Sequence, residues 1–188
     1  MNDLVRNRKA RNSASFSLSN RCLRLIWNVI YSILIRHTPK SLNLWRIGLY
    51  KLFGAKIHKK VTIYPKAKVW APWNLVMEEG SCIANDTVIY NQGMVYIRKH
   101  ALISQAAHIC TGTHNYETQC FDLVIKAIEI GEHSWVASEA FVGPGVKVGE
   151  GAVLGARAVA FKELEAWSVY TGNPAIKVKM RKKQELWT

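Results

Sequence analysis

The chain has 188 residues, a length that suits one domain with appendages. Its formal net charge of +13 fits three kinds of anionic partner, namely nucleic acid, a membrane surface or small molecules. No nucleic-acid fold signature accompanies the basic residues, which excludes nucleic acid. The four cysteines have neither a CxxC motif nor a zinc-like spacing, which indicates reduced thiols in a cytoplasmic protein.

The front of the chain is basic and predicts a flexible segment followed by a helix. Residues 1–20 are polar, basic and serine-rich, a composition typical of disorder. Residues 21–36 predict a helix that is too short to cross about 30 Å of hydrocarbon. Two interpretations stay open. The helix packs on the domain or on a neighbouring subunit, or it lies in the inner-membrane interface with Trp27 and Tyr31 at headgroup level.

A second short helix is predicted over residues 41–53. Ser41 is placed to serve as its N-cap. Apolar side chains recur on one face at helical spacing, and this face is expected to be the buried one. Its members are Leu42, Trp45, Leu49 and Leu52. The two helices together define a helical region over residues 21–54.

Residues 55–165 carry a six-residue repeat led by aliphatic side chains. The in-phase leaders are Ile57, Ile63, Val69, Met77, Ile83, Ile89, Ile97, Ile103, Ile109, Ile130, Val136, Val142, Val148, Leu154 and Ala160. The residue four places after each leader is usually small or β-branched, Thr113 among them. A helix period would drift out of phase, whereas a triangular coil with one hexad per side explains both features. The repeat predicts a β-solenoid of about five turns, with two-residue corner bulges before Met77 and Ile97.

Two segments interrupt or follow the repeat. After Ile109 the next in-phase leader is Ile130, so residues 110–129 are predicted to leave the prism wall as a loop. Long loops in repetitive folds are usually functional, and His114 lies at the start of this one. A neutral histidine with a pKa near 6.5 suits a general base. Residues 166–188 predict a basic C-terminal extension.

The hexads resemble those of the hexapeptide-repeat acyltransferases, most closely the colanic-acid-biosynthesis acetyltransferase subgroup. The resemblance covers roughly residues 45–181, and its motifs are LFGAKI at 52–57, PW at 72–73, ISQ at 103–105, CTGTH at 110–114 and GNPA at 172–175. It implies a mainly β, left-handed parallel β-helix with N-terminal helices and a C-terminal extension. It also implies a homotrimer with active sites between subunits, and acetyl-CoA as cosubstrate.

The resemblance implies that His114 is the catalytic base of a direct acetyl transfer. Relatives in this subgroup commonly carry an aspartate directly after this histidine, whereas this chain has Asn115, which leaves only a hydrogen-bonding role there. Asn85 and Asp86, together with Asn115, are the candidates for contact with the sugar acceptor. The alternative for this pair is hydrogen bonding at a corner, for which Asn and Asp are well suited.

The resemblance also assigns donor contacts. Ser138 and Ala156 match positions that approach coenzyme A, where bulk would close the groove. The phosphates of coenzyme A need basic groups, for which Lys162, Lys177 and Arg181 are candidates, with a solvated surface as the alternative for each.

The expected function is acetyl-CoA-dependent O-acetylation of a sugar hydroxyl on a surface or exopolysaccharide precursor, either soluble or lipid-linked. The alternatives are N-acetylation of an amino-sugar nucleotide, a metal-dependent hydratase of the carbonic-anhydrase type, and an inactive scaffold. No metal is expected. The expected location is the cytoplasm, with peripheral contact to the inner membrane through residues 1–36.

Overall fold

The structure is a computed structural model, and it describes residues 16–183. Most of the segment predicted to be flexible, together with its basic residues Arg6, Arg8, Lys9 and Arg11, lies outside the described residues.

The repeat forms a left-handed parallel β-helix whose three faces are parallel sheets with one strand per coil. Face A contains β1 (Lys56–Ile57), β4 (Leu75–Met77), β7 (Val95–Ile97), β12 (Ile128–Ile130) and β15 (Lys147–Val148). Face B contains β2 (Thr62–Ile63), β5 (Cys82–Ile83), β8 (Leu102–Ile103), β13 (Trp135–Val136), β16 (Val153–Leu154) and β18 (Ser168–Thr171). Face C contains β3 (Lys68–Val69), β6 (Val88–Tyr90), β9 (His108–Cys110), β14 (Phe141–Val142) and β17 (Val159–Ala160).

The predicted coils are confirmed. All fifteen hexad leaders are buried and fill the axis of the prism. Five coils are complete, and a sixth is partial because Leu164 bridges to Val148 and β18 pairs parallel with β16. We name the turns between the faces the AB, BC and CA edges.

Small residues at the fourth place are buried at the edges, because each turn brings the chain against the coil axis. Ala67, Thr87, Ala107, Ala140 and Ala158 are all buried along the BC edge. Thr113 is the exception. It is exposed, because the chain has already left face C at that point.

The predicted corner bulges lie on the CA edge. The first is a 3-10 turn at Pro72–Asn74, and the second is held by the buried side chain of Asn91. The Asn91 amide nitrogen donates to Ala71 O at 2.7 Å, and Asn91 Oδ1 accepts from Ala71 N at 2.9 Å. The extra residues therefore tie neighbouring coils together.

The first helix, α1 (Leu18–Ile30), begins three residues before the predicted start and continues as a π-helical turn at Tyr31–Ile35. Ser17 caps it by accepting from Asn20 N. Trp27 is fully buried, and its indole nitrogen donates to Val69 O at 2.8 Å. The placement of Trp27 and Tyr31 at headgroup level is therefore wrong, because both rings pack on the prism. Within residues 16–183, none of the helices combines the length and the apolar character that crossing a bilayer requires.

The second helix, α2 (Asn43–Leu52), follows a 3-10 turn at Lys40–Leu42. The predicted N-cap at Ser41 is wrong, because the cap position is Leu42 and carries no side-chain hydrogen bond. The predicted buried face is also wrong, since Leu42, Trp45 and Leu52 are exposed and Leu49 is half-buried.

The buried face of α2 is instead formed by Arg46, Ile47 and Tyr50. The Arg46 guanidinium is satisfied by Ile63 O, Thr38 Oγ1, Pro39 O and Lys40 O at 2.8–2.9 Å. A guanidinium that makes four hydrogen bonds tolerates burial, so hydrogen bonding rather than apolar spacing orients this helix.

Past the coils, the chain turns back and adds an antiparallel strand at the end of the face B sheet. Strand β19 (Ile176–Met180) pairs antiparallel with β18 after the turn at Gly172–Ala175. This hairpin covers the end of the stack.

Candidate active site

The predicted loop excursion is an antiparallel hairpin that leaves the prism at the CA edge, between β9 and β12. Strands β10 (Gly112–His114) and β11 (Leu123–Ile125) pair with His114 opposite Leu123. Lys126 N donates to Thr111 O at 2.9 Å and closes the root of the hairpin. His114 is therefore held at the end of a short ladder and is exposed to solvent.

The ring of His114 is oriented by a backbone carbonyl. Its Nδ1 lies 2.6 Å from Phe121 O. A carbonyl oxygen only accepts hydrogen bonds, so Nδ1 must be the protonated nitrogen of the neutral ring. Phe121 has a positive φ of 50°, which turns its carbonyl toward the ring. This arrangement leaves Nε2 as the atom that can accept a proton.

Asn115, which stands where relatives have aspartate, is used in the turn of the hairpin. Its Oδ1 accepts from Glu117 N at 3.0 Å, and its carbonyl accepts from Thr118 Oγ1 at 2.9 Å. Its backbone nitrogen donates to Asp122 O at 2.8 Å. Asn115 thus shapes the segment that presents Phe121 O to the histidine.

The BC edge gathers four of the predicted site residues, Asn85, Asp86, Ser138 and Ala156. Asn85, Ser138 and Ala156 occupy equivalent turn positions, each directly before a residue of positive φ. Asn85 Oδ1 accepts from Lys66 N at 3.2 Å, which is the corner hydrogen bond that was the alternative to acceptor contact. Ser138 O accepts from Arg157 N at 3.0 Å, and Ala156 is exposed. The two donor candidates therefore lie on adjacent coils of one edge.

Asp86 lines a cleft between α1 and the first two coils. The cleft has a volume of about 500 Å³ and is lined by Asn28, Tyr31, Ser32, Arg36, Lys66, Lys68, Trp70, Asp86 and Val88. Burial raises the pKa of Tyr31, Arg36 opposes this shift, and Asp86 adds to it. Three basic groups thus surround one carboxylate. The repeat could not reveal this cleft, because one of its walls is a helix.

The three basic candidates for the donor phosphates lie apart from one another. Lys162 is exposed just beyond β17, at the opposite end of face C from Ala156. Lys177 pairs with Glu165 at 2.6 Å, and this hydrogen bond raises its pKa. Arg181 donates to His133 O at 2.9 Å and to Gly151 O at 3.0 Å on the AB edge. Within one subunit, the structure does not bring Arg181 to the BC edge.

Gln92, which the repeat placed in a corner bulge, lies under the root of the hairpin. A Cβ added at Gly112 would clash with Gln92 Oε1. Gln92 Nε2 donates to the Tyr90 hydroxyl at 3.0 Å. Its Oε1 is buried and has no hydrogen-bond partner within residues 16–183. The sequence feature that could have indicated this residue is the polar pair Asn91 and Gln92 in a two-residue corner bulge, where the repeat does not require polar side chains.

The remaining histidines do not converge. The rings of His100 and His133 stack on the AB edge with centroids 5.0 Å apart. His108 is on face C, and burial lowers its pKa. Among residues 16–183, no three His, Cys, Asp or Glu side chains are grouped so that they could hold a metal ion.

Comparisons with known proteins agree with this architecture. No family model matches the chain. The chain is 39% identical over 160 residues to the putative colanic acid biosynthesis acetyltransferase WcaF of Escherichia coli K12, covering 85% of this chain and 88% of that protein.

Two solved structures show the same fold at 19% identity. A maltose O-acetyltransferase from Clostridium difficile 630 superposes with a TM-score of 0.80 over 89% of this chain and 90% of its own. A hexapeptide-repeat acetyltransferase from Vibrio cholerae, solved with acetyl coenzyme A, superposes with a TM-score of 0.78 over 90% and 93%.

Proposed function

Because the chain belongs to the colanic acid biosynthesis acetyltransferases of the hexapeptide-repeat family, and is therefore an acetyltransferase that uses acetyl-CoA, we propose that it acetylates a sugar hydroxyl with His114 as general base. The observation that carries this proposal is the 2.6 Å contact between His114 Nδ1 and Phe121 O, which reserves Nε2 for the acceptor proton.

The proposed transfer is direct and needs no enzyme nucleophile. The acceptor oxygen forms the new ester bond, and the carbon–sulfur bond of the thioester breaks. His114 Nε2 takes the hydroxyl proton as the oxygen attacks and returns it to the departing thiolate. The imidazolium formed in between keeps its Nδ1 hydrogen bond to Phe121 O, so the ring does not need to reorient between the two proton transfers.

The BC edge fits the pantetheine arm of the donor. Ala156 is exposed and Ser138 is half-buried, so two short side chains lie on this edge beside the exposed Arg157–Glu139 ion pair. The Ser138 hydroxyl offers one hydrogen-bonding group at the same place. We assign Ser138 and Ala156 to donor contact. We keep Lys162 as the candidate for a donor phosphate because its side chain is exposed, although it lies across face C from Ala156.

We assign the acceptor to the cleft beside Asp86. Its basic groups and the Trp70 ring suit a saccharide that carries negative charge, such as a precursor of a surface polysaccharide. Asn85 borders this cleft and is the second acceptor candidate. A lipid-linked form of the acceptor would bring the protein to the cytoplasmic side of the inner membrane, with residues 1–36 as the contact.

A homotrimer is part of the proposal. His114 projects from the CA edge of the prism on a hairpin, whereas Ser138 and Ala156 lie on the BC edge. An active site shared between neighbouring subunits would let the hairpin of one subunit reach the edge of the next.

The decisive experiment measures thiol release from acetyl-CoA over a panel of sugars, sugar nucleotides and lipid-linked saccharides. With the best acceptor, His114→Ala should lower turnover by about 10²–10⁴-fold, the usual contribution of general acid–base catalysis, while donor affinity changes little. His58→Ala is the matched control, since His58 lies on the AB edge of the first coil. Near-normal turnover by His114→Ala would contradict the assignment, and a preference for amines would favour N-acetylation.

A further inference from the structure

Helix α1 and its π-helical turn form an eighteen-residue rod, about 27 Å long, that carries apolar side chains on two opposite sides. The inner side, with Trp27, Tyr31 and Ile35, is buried against the prism. Helices that pack on a water-soluble domain normally present polar residues on the other side. Here the outer side carries Leu18, Cys22, Leu25, Ile26, Val29 and Ile33, all exposed.

The outer residues form one continuous stripe. At 100° per residue they fall within an arc of roughly 100°, centred opposite the buried face. Leu25 is 66% exposed and Ile33 is 68% exposed. The stripe thus has the geometry of a contact face, and no other part of residues 16–183 covers it.

The apolar surface continues onto α2. The indole nitrogen of Trp45 donates to Leu34 O at 3.0 Å, which joins the end of the first rod to the second helix. Trp45, Leu44 and Leu52 are themselves exposed. We call the outer stripe of the first rod together with these three side chains the helical apron.

Charge decides which partner suits the helical apron. Between Asp3 and Glu78 the sequence contains fifteen Lys or Arg and no acidic residue. Residues 78–188 contain eleven Lys or Arg and twelve Asp or Glu, so they are nearly neutral. The net charge of the protein therefore belongs to the part of the chain that carries the apron. Two copies meeting through this surface would bring like charges together, whereas an anionic lipid surface would neutralise them.

We infer that the helical apron docks on an anionic phospholipid bilayer, with the outer stripe in the interface and the surrounding basic residues on lipid phosphates. This is the arrangement of an interfacial amphipathic helix, except that the side away from the lipid is bound to a prism. Trp27 and Tyr31, which the sequence analysis placed at headgroup level, instead pack the rod against the prism. Val29 and Ile33 face the lipid.

Docking through the apron would place the Asp86 cleft at the membrane surface. Asn28, Ser32 and Arg36 belong to the same rod and line the cleft. A saccharide attached to a lipid could then enter the cleft while its anchor stays in the bilayer. This consequence rests on the proposed function, whereas the docking itself does not.

The test is co-sedimentation of the full chain with vesicles of phosphatidylglycerol and phosphatidylcholine, compared with vesicles of phosphatidylcholine alone. The wild-type protein should bind the anionic vesicles and lose binding as salt is raised. The double variant Val29→Gln/Ile33→Gln should lower the vesicle partition coefficient on the order of 10-fold or more, because two lipid-facing side chains become polar. The matched control is Ile176→Gln/Val178→Gln, whose side chains are equally exposed on β19. It should bind like wild type.

Three outcomes would overturn the inference. The wild-type protein could ignore anionic vesicles at low salt, or both double variants could bind equally well. The third is that Val29→Gln/Ile33→Gln changes the mass of the oligomer in light scattering without altering vesicle binding, which would make the apron a subunit interface. Circular dichroism melting checks that both variants are folded.

A second readout does not require any substitution in the stripe. Cys22 is exposed on the outer side of the rod, so a polarity-sensitive fluorophore attached there should shift to shorter wavelength with anionic vesicles. The His114→Ala protein should still bind vesicles. Loss of turnover without loss of docking, or the reverse, separates failure of the proposed chemistry from failure of this inference.

Discussion

His108 carries a ring nitrogen, Nε2, that is buried without a hydrogen-bond partner within residues 16–183. The ring packs edge-on against Phe141 on face C, with centroids 5.5 Å apart. Burial lowers its pKa because the charged form is poorly solvated there. The folded protein therefore needs His108 neutral.

This requirement predicts a loss of stability in mild acid. In the unfolded chain the histidine takes up a proton below about pH 6.5, whereas the folded state resists protonation. The contribution of His108 to the free energy of unfolding is present above that pH. It falls as the pH drops toward the lowered pKa that His108 has in the folded state. The melting temperature of the wild-type protein should fall as the pH is lowered from 7.5 to 5.5. The melting temperature of the His108→Phe variant should fall less steeply over the same range.

Some dependence should remain in His108→Phe, because burial also lowers the pKa of His133. Identical pH profiles for the two proteins would show that His108 titrates normally in the fold.

At the scale of elements, the first helix is part of the folded core. Trp27 contacts Tyr50 and Phe53 with ring centroids 4.8 and 5.2 Å apart. Its indole nitrogen donates a hydrogen bond to Val69 O on face C. Trp27→Ala should therefore lower the free energy of unfolding by about 3–5 kcal/mol, as expected for a large buried aromatic side chain. Val29→Ala, two residues further on and on the outer side, should change it by less than about 0.5 kcal/mol. Urea denaturation of the two variants measures both values.

Equal effects of these two substitutions would mean that the helix is not packed as described. The same contacts predict that removing residues 1–36 destabilises the prism, because Trp27, Tyr31 and Ile35 would be lost from its core.

The elements that the sequence predicted well are those whose burial depends on local spacing. Each coil leader, such as Ile103 or Val136, points to the axis because the six-residue period alone puts it there. The orientation of α2 was mispredicted, since it depends on Arg46 finding carbonyl partners on distant turns. Local apolar spacing carries no information about such a bond.

The same distinction holds for the site. The position of His114 in a loop followed from the interrupted repeat. The carbonyl of Phe121 that orients the ring depends on the hairpin register, which residue types alone do not specify. The cleft beside Asp86 depends on how a helix docks on the prism.

At the scale of the whole molecule, the proposed trimer makes a prediction about mixed subunits. If His114 of one subunit works with the Ala156 edge of its neighbour, two inactive variants should complement each other. We expect His114→Ala and Ala156→Trp proteins, each inactive alone, to regain acetyltransferase activity when co-expressed. A mixed interface would then contain an intact histidine and an intact donor edge.

The control is to combine both substitutions in one chain and co-express it with His114→Ala, which leaves every site without the histidine. Failure of the first pair to regain activity, with mixed trimers verified by mass, would place both residues in the same subunit's site.

The closed root of the hairpin has an evolutionary consequence. Lys126 N donates a hydrogen bond to Thr111 O, so the points where the chain leaves and re-enters the prism wall lie next to each other. The strand that follows, β12, pairs with β7 in the regular parallel register. Residues 112–125 can therefore lengthen, shorten or be exchanged by recombination without changing the register of the coils around them. Sequence changes in the hairpin can therefore accumulate while the coils are inherited intact.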